Sequence, residues 1–181
     1  MRPRAGAAGG GGVRVFGHTA DIGLAVRGTT LEDLFAWAAV GLTRVAVRPQ
    51  RRPRAAGSTG EAVGSTGEAA RPQALAPRRI PVSVPPAPDP EGLLVGWLNF
   101  LIYLLETEGL AFGAGTLRAR RETDGLWRLT GELAARPVPP RGLRTTVKAA
   151  TYHGLRVEWS PGPTPENPGG GLFRARVILD V

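Results

Sequence analysis

Three ionisable side chains lie at points where apolar strand patterns turn polar. Asp21 begins the segment DIGLAVRG, Lys148 lies in VKAATYHGL, and Asp180 comes next to last in GLFRARVILDV. Apolar residues alternate in these segments, so each ionisable group is expected on the opposite face of its strand. Two distant carboxylates and the terminal carboxylate of Val181 form the oxygen-rich kind of set that Ca²⁺ or Mg²⁺ binds. Solvated or turn-capping aspartates would give the same spacing, so both interpretations stay open.

Lys148 is the one lysine among 23 basic residues, and it stands between apolar neighbours. A compact ammonium can approach a single oxygen, whereas a guanidinium favours a planar two-point partner. Lys148 is therefore a candidate functional cation, with an ordinary lysine on a polar strand face as the alternative. Strand alternation places Lys148 and Tyr152 on one face and a set of apolar residues on the other: Val147, Leu155, Val157 and Trp159.

The remaining composition narrows the choice of metal. The chain has no cysteine and two histidines, His18 and His153, which excludes thiolate sites and disfavours a multi-histidine zinc site. A bound cation would then be held mainly by oxygen, as Ca²⁺, Mg²⁺ or Mn²⁺. The two histidines either support that site or serve as hydrogen-bonded structural residues.

Two helices and a series of strands must position these groups. Thr29 and Glu32 have capping-box spacing and open a helix over 29–45 with one apolar stripe. Asp89 as N-cap and Pro90 begin a second helix, which is apolar almost all round, covers 91–109 and stops at a glycine. The predicted strands are 13–18, 21–28, 79–86 (an edge strand, because of its prolines), 116–122, 125–134, 145–159 and 171–181.

This order predicts an α+β fold, a two-layer domain with a mostly antiparallel β-sheet and two helices packed on it. The domain is expected to cover 13–181, after a disordered Gly-rich tail at 1–12. A flexible low-complexity insertion is predicted at about 48–78, where GSTGEA occurs at 57–62 and again at 64–69.

Charge and hydropathy limit the location and the partners. The net charge of +8 suggests nucleic acid, but many arginines fall in the tail and the insertion, where bulk composition explains them equally well. The longest apolar run, 93–105, is too short to span a membrane and contains Asn99. No secretion signal follows the first residues, so a cytoplasmic location without membrane contact is predicted.

Five blocks in consistent order resemble the archease family. They are GHTADIGL at 17–24, TLEDLF at 30–35, LLVGWLN at 93–99, VKAATYHGL at 147–155 and VILDV at the C-terminus. The resemblance runs from about residue 13 to 181 and omits the tail and the insertion. Such a set of separated blocks is far more specific than the single HTADIG motif.

The resemblance implies an accessory protein of an RtcB-type RNA ligase, an enzyme that uses GTP and Mn²⁺ to guanylylate its own histidine. The accessory protein would promote guanylylation and multiple turnover in tRNA splicing or RNA repair, with indirect contact to RNA or GTP, and would not be an enzyme itself. The resemblance also implies a divalent-cation site, usually with Ca²⁺, at Asp21, Asp180 and Val181, and a functional role for Lys148.

Two positions depart from the family pattern, and two other functions stay open. Gly96 and Phe100 stand where family members commonly carry Asp and Glu in the second helix, so contact with a partner there is expected to differ. One alternative function is a small metal-dependent hydrolase using Asp21 and Asp180. The other is an RNA-binding module that uses the arginine-rich tail and insertion.

Overall fold

A computed structural model describes residues 10–18, 21–49, 77–163 and 170–181. Residues 50–76 of the predicted insertion and 1–9 of the predicted tail lie outside these residues, whereas Gly12 already belongs to the first strand and Arg78 to the third. The helices are α1 (Leu31–Ala46) and α2 (Pro90–Glu108), with a short 3₁₀ turn at Pro140–Gly142. The strands are β1 (Gly12–His18), β2 (Asp21–Gly28), β3 (Arg78–Pro81), β4 (Leu110–Arg121), β5 (Trp127–Pro137), β6 (Ala149–Pro161) and β7 (Gly171–Asp180).

The predicted α+β class, with antiparallel strands and two helices packed on them, is confirmed. The structure adds that the strands divide between two sheets. One sheet has four strands in the order β1-β2-β7-β6, and the other has three in the order β3-β5-β4. Each helix contacts strands of both sheets, so the apolar core lies on both sides of the helices.

Helix α2 begins and ends as the sequence predicts. The Asp89 side chain accepts a hydrogen bond from the Gly92 amide, Pro90 opens the helix, and Gly109 closes it at φ 61°. A left-handed C-cap favours glycine because it has no Cβ. Trp97 is fully buried, and its indole N–H donates to the Phe35 carbonyl at 3.0 Å, which fastens α2 to α1. No helix in the described part of the chain is long and apolar enough to cross a membrane.

The predicted capping box of α1 is wrong by one residue. Thr30, not Thr29, is the N-cap, and its hydroxyl accepts from the Asp33 amide at 3.1 Å. Thr29 instead donates to the Asp33 carboxylate at 2.5 Å. The Glu32 side chain takes no part in this cap and binds a strand instead. Its carboxylate accepts from the Ala119 amide in β4 at 3.0 Å.

That bond belongs to a repeated arrangement in which each helix covers the backbone of one edge strand. On α1, the Thr43 hydroxyl also bonds the Phe112 N–H and C=O of β4. On α2, Glu91 accepts from the Val157 amide of β6 at 2.9 Å. Exposed strand edges invite unwanted pairing. These side chains occupy backbone groups on β4 and β6 that point away from their sheets.

Strand β6 carries a bulge that the alternation pattern could not predict. Its pairing with β7 shifts between Thr151 and Arg156, so the strand does not keep one alternation along its length. Val147 is fully buried, and Trp159, although 55% exposed, lies opposite Phe173 on the same face as Val157, near the end of the strand. Lys148 lies immediately before the strand instead of inside it.

Candidate functional site at the end of the four-stranded sheet

The strand order brings three of the predicted residues to the same end of the four-stranded sheet. Ile22 of β2 pairs with Leu179 of β7, so Asp21 and Asp180 are the next residues outward on neighbouring strands. On the other side of β7, Ala149 pairs with Asp180, and the Lys148 amide donates to the Asp180 carbonyl at 2.8 Å. We call Asp21, Lys148, Asp180 and Val181 the strand-end cluster.

Within this cluster the lysine points toward oxygen atoms of β7 and the residue after it. The Lys148 Nζ donates to the main-chain oxygen of Val181 at 3.0 Å and lies 3.8 Å from Asp180 Oδ1. These two oxygens are among those that the sequence assigned to a cation. The Lys148 ammonium therefore contacts oxygens that a bound cation would also use.

The exposed fraction of the Lys148 side chain shows how much its ion pair can contribute to stability. The side chains of Lys148 and Asp180 are 62% and 49% exposed. An ion pair this open to water contributes little to stability, typically about 0–1 kcal/mol. Lys148 is thus solvated although its neighbour Val147 is fully buried. A solvated ammonium held against two oxygens is instead available to an incoming anion.

The residues present fit a hard cation in donor chemistry. Two carboxylates and a main-chain oxygen on adjoining chain segments are ligands of the kind that Ca²⁺ takes, with water completing its six to eight positions. Among the described residues, no group of three or more His, Cys, Asp or Glu side chains converges for a metal, at the strand-end cluster or at any other place. A cation at this cluster would have two carboxylates and would depend on main-chain oxygen and water for its remaining ligands.

The two histidines are placed differently with respect to this cluster. The main chain of His18 pairs with Asp21 where β1 meets β2, at the same end of the sheet, and its side chain lies outside the described part of the structure. His153 is exposed within the β6 bulge, beyond the residues that pair with the end of β7. The structure therefore does not bring His153 into the cluster.

Sequence reasoning missed Asn99, which positions the strand that carries Lys148. The Asn99 amide accepts from the Ala150 N–H at 2.8 Å and donates to the Ala150 carbonyl at 3.4 Å, so it pairs with β6 as a further strand would. Ala150 is two residues from Lys148. The available signal was a single amide in the otherwise apolar run 93–105.

The two departures from the family pattern are packing positions in this chain. A Cβ added at Gly96 would lie 3.1 Å from the Val84 side chain, which would have to shift by a few tenths of an ångström to admit a larger residue. Phe100 is half-buried and stacks on Trp97 with ring centroids 6.0 Å apart. An acid at either position would meet apolar neighbours here.

Comparisons with known proteins identify the same family as the motifs. Residues 14–181 match the model of the Archease protein family (MTH1598/TM1083). Protein archease of Methanosarcina mazei is 27% identical over 166 residues, which cover 91% of this chain and 92% of that protein. Protein archease of Pyrococcus furiosus is 29% identical over 166 residues, covering 91% and 94%. The solution structure of Methanobacterium thermoautotrophicum protein 1598 has a TM-score of 0.60 at 26% identity and covers 94% of this chain and 99% of that one.

Proposed function

Because this chain belongs to the archease family, whose model matches residues 14–181, we propose that it is an accessory factor of an RtcB-type RNA ligase in tRNA splicing or RNA repair. In this role it promotes guanylylation and multiple turnover of the ligase and catalyses no reaction itself. The observation that supports the proposal most directly is the meeting of Asp21, Lys148 and Asp180 at one end of the four-stranded sheet.

The chemistry of the strand-end cluster suits contact with a phosphate-handling active site. Asp21, Asp180 and the main-chain oxygen of Val181 would hold a divalent cation, with Ca²⁺ as the first candidate and Mg²⁺ or Mn²⁺ as the others. When bound, the cation would supply positive charge at the exposed end of the sheet. Lys148 would then leave its contacts with Asp180 and Val181 and could bind a phosphate or carboxylate oxygen of the ligase complex.

The first experiment measures guanylylation of a purified RtcB-type ligase in trans. We expect Lys148→Ala to weaken stimulation by about 10- to 100-fold, as for a lost hydrogen bond to a charged group worth about 1.5–3 kcal/mol. Lys148→Arg should restore little, because the guanidinium cannot approach one oxygen as a point charge. Arg78→Ala is the matched control, since Arg78, on β3 of the other sheet, forms a comparably exposed ion pair with Glu108 at the end of α2.

A measurement of Ca²⁺ binding distinguishes the role of the carboxylates in the cluster from that of Lys148. In calorimetry with Ca²⁺, Asp180→Asn should lose binding, whereas Lys148→Ala should bind Ca²⁺ at least as tightly because a competing positive charge is removed. Full stimulation of the ligase by Lys148→Ala would contradict the role given to this lysine. Release of phosphate from nucleotides or RNA by the isolated protein would favour the hydrolase alternative.

A further inference from the structure

The outer face of the four-stranded sheet, opposite the helices, carries a group of arginines that the strand-end cluster does not use. We call this group the arginine face: Arg14 on β1, Arg27 on β2, Arg174 and Arg176 on β7, and Arg156 on β6. It lines an open cavity of about 770 Å³ that crosses all four strands.

Negative charge on this face is sparse. Among the described residues that line the cavity, Glu158 is the one acidic residue, and its carboxylate lies 3.8 Å from the Arg156 guanidinium with both side chains mostly exposed. The four other arginines form no ion pair with any residue that the structure describes. The face therefore presents a concave surface with a large excess of positive charge.

The register places like charges directly opposite each other. Arg27 pairs with Arg174 across β2 and β7, and Arg156 pairs with Arg176 across β6 and β7. Residues paired in this way share a face, and like charges there destabilise a sheet. Two such pairs in one small area lower the stability of the sheet, and a polyanion bound across them would relieve the repulsion.

The floor of the cavity favours a phosphate backbone over a protein surface. Its apolar lining consists of glycine, alanine and valine, of which Val26 and Ala175 are almost fully buried, and it includes none of the large aromatic residues that dominate protein interfaces. Phosphate contacts need mainly positive charge and donors in the right places. Arg176 also lies 5.0 Å from the centre of the Phe16 ring, a cation–π contact that restricts the position of its guanidinium.

We propose that the arginine face binds the phosphodiester backbone of RNA. Asp180 and Arg176 are four residues apart on one strand, so the arginine face begins about 13 Å from the strand-end cluster. An RNA held there could lie beside a ligase that engages the cluster. The inference deepens the proposed function and rests on it for the choice of RNA among polyanions.

The test is fluorescence anisotropy with a labelled, tRNA-sized RNA hairpin and the full chain. Arg27→Ser/Arg174→Ser should weaken binding and lower the slope of log affinity against log salt by about 2, because about one unit is lost per phosphate contact. The matched control is Arg118→Ser/Arg141→Ser, which removes the same charge at two exposed arginines outside the cavity. The control should keep the salt slope of the unmodified chain to within about half a unit.

Each outcome bears on the proposal. Equal weakening by both double variants would overturn the proposal in favour of a general charge effect. Unchanged binding by Arg27→Ser/Arg174→Ser would also overturn it, because the RNA would then bind through other arginines. A polyglutamate peptide that binds as tightly as the hairpin would point to an acidic protein partner instead. Guanylylation measured without RNA tests the proposed function separately, since the Arg27/Arg174 variant should still stimulate the ligase there.

Discussion

Asn99 shows how one polar side chain in an apolar helix can fix the position of a strand. Its amide satisfies both backbone groups of Ala150, and Lys148 lies two residues before that point. A half-buried amide with both bonds made contributes to stability, whereas the backbone groups left behind by its removal would have to find water. At the scale of single residues, the orientation of Lys148 therefore depends on a residue of α2 as well as on Asp180 and Val181.

Asn99→Ala should lower the free energy of unfolding by about 1–3 kcal/mol, because two backbone groups of Ala150 lose their partner. Urea denaturation measures the loss, and hydrogen exchange should show the Ala150 amide exchanging faster. Thr107→Ala is the control on the same helix, since Thr107 only bonds the Tyr103 carbonyl one turn earlier and is exposed. Unchanged exchange at Ala150 would show that the amide does not hold the strand.

At the scale of elements, short turns and caps rely on local bonds that operate independently of the core. The turn between β4 and β5 is an example. Gly125 adopts φ 81°, its amide donates to the Glu122 carbonyl at 3.0 Å, and Asp124 Oδ1 accepts from the Leu126 amide at 2.9 Å. The Leu126 N–H, followed by the Arg128 guanidinium, lowers the pKa of Asp124 despite some opposing desolvation.

The lowered pKa of Asp124 fixes the sign of a pH dependence. A carboxyl whose pKa is lower in the folded state stabilises the fold above its unfolded pKa, near 3.8, and loses that contribution as pH falls through the folded value. Asp124→Ala should therefore lower Tm at neutral pH, and the difference from the unmodified chain should shrink in acid. Glu122→Ala, on the same exposed turn, is the control. A Tm difference that stays constant down to acid pH would contradict the role of the carboxylate.

At the scale of the whole molecule, the outer face of one sheet has opposite chemistry at its two ends. Asp21 and Asp180 lie at one end, and the arginine face lies at the other. Phe16, which packs over Gly23, lies between them: a Cβ at Gly23 would come within 2.1 Å of its ring. One rigid sheet can thus present a site for a cation and a site for a polyanion at a fixed separation.

Repulsion on the arginine face predicts a dependence of stability on salt. Added NaCl screens like charges at the surface, so Tm should rise with ionic strength over the range where the Debye length falls below about 10 Å. Arg27→Ser/Arg174→Ser should show a smaller rise and should melt no lower than the unmodified chain at low salt. Arg118→Ser/Arg141→Ser should keep the full rise, because Arg118 lies opposite Thr130 and not opposite a charge. Equal salt slopes for both variants would contradict the account.

Local features were predictable from the sequence, and features that depend on pairing were not. The N-cap Asp89, the C-cap Gly109 and the start of β2 at Asp21 follow from residues within a few positions of each other. The meeting of Asp21 and Asp180 came from a family resemblance, and the register now gives its physical basis.

The failures have a common cause. Alternation assumes an unbroken strand, but the β6 bulge reverses it: Ala150 before the bulge and Val157 after it both lie opposite buried residues of β7. Capping spacing fits Thr29 with Glu32 as well as Thr30 with Asp33, and the choice depends on Ala119, which is 87 residues from Glu32. The division into two sheets likewise depends on which strands pair, and hydropathy does not report that.

The hydrogen bonds from the helices to the edge strands have a consequence for the rate of folding. They join residues 69 and 87 positions apart between α1 and β4, and 51 and 66 positions apart between α2 and β6. Closing such long loops is entropically unfavourable until the contacts form. Each helix can form early, but its polar side chains find their partners only when a distant strand arrives. Refolding should therefore be limited by strand docking, on a timescale of milliseconds to seconds rather than the microseconds of helix formation.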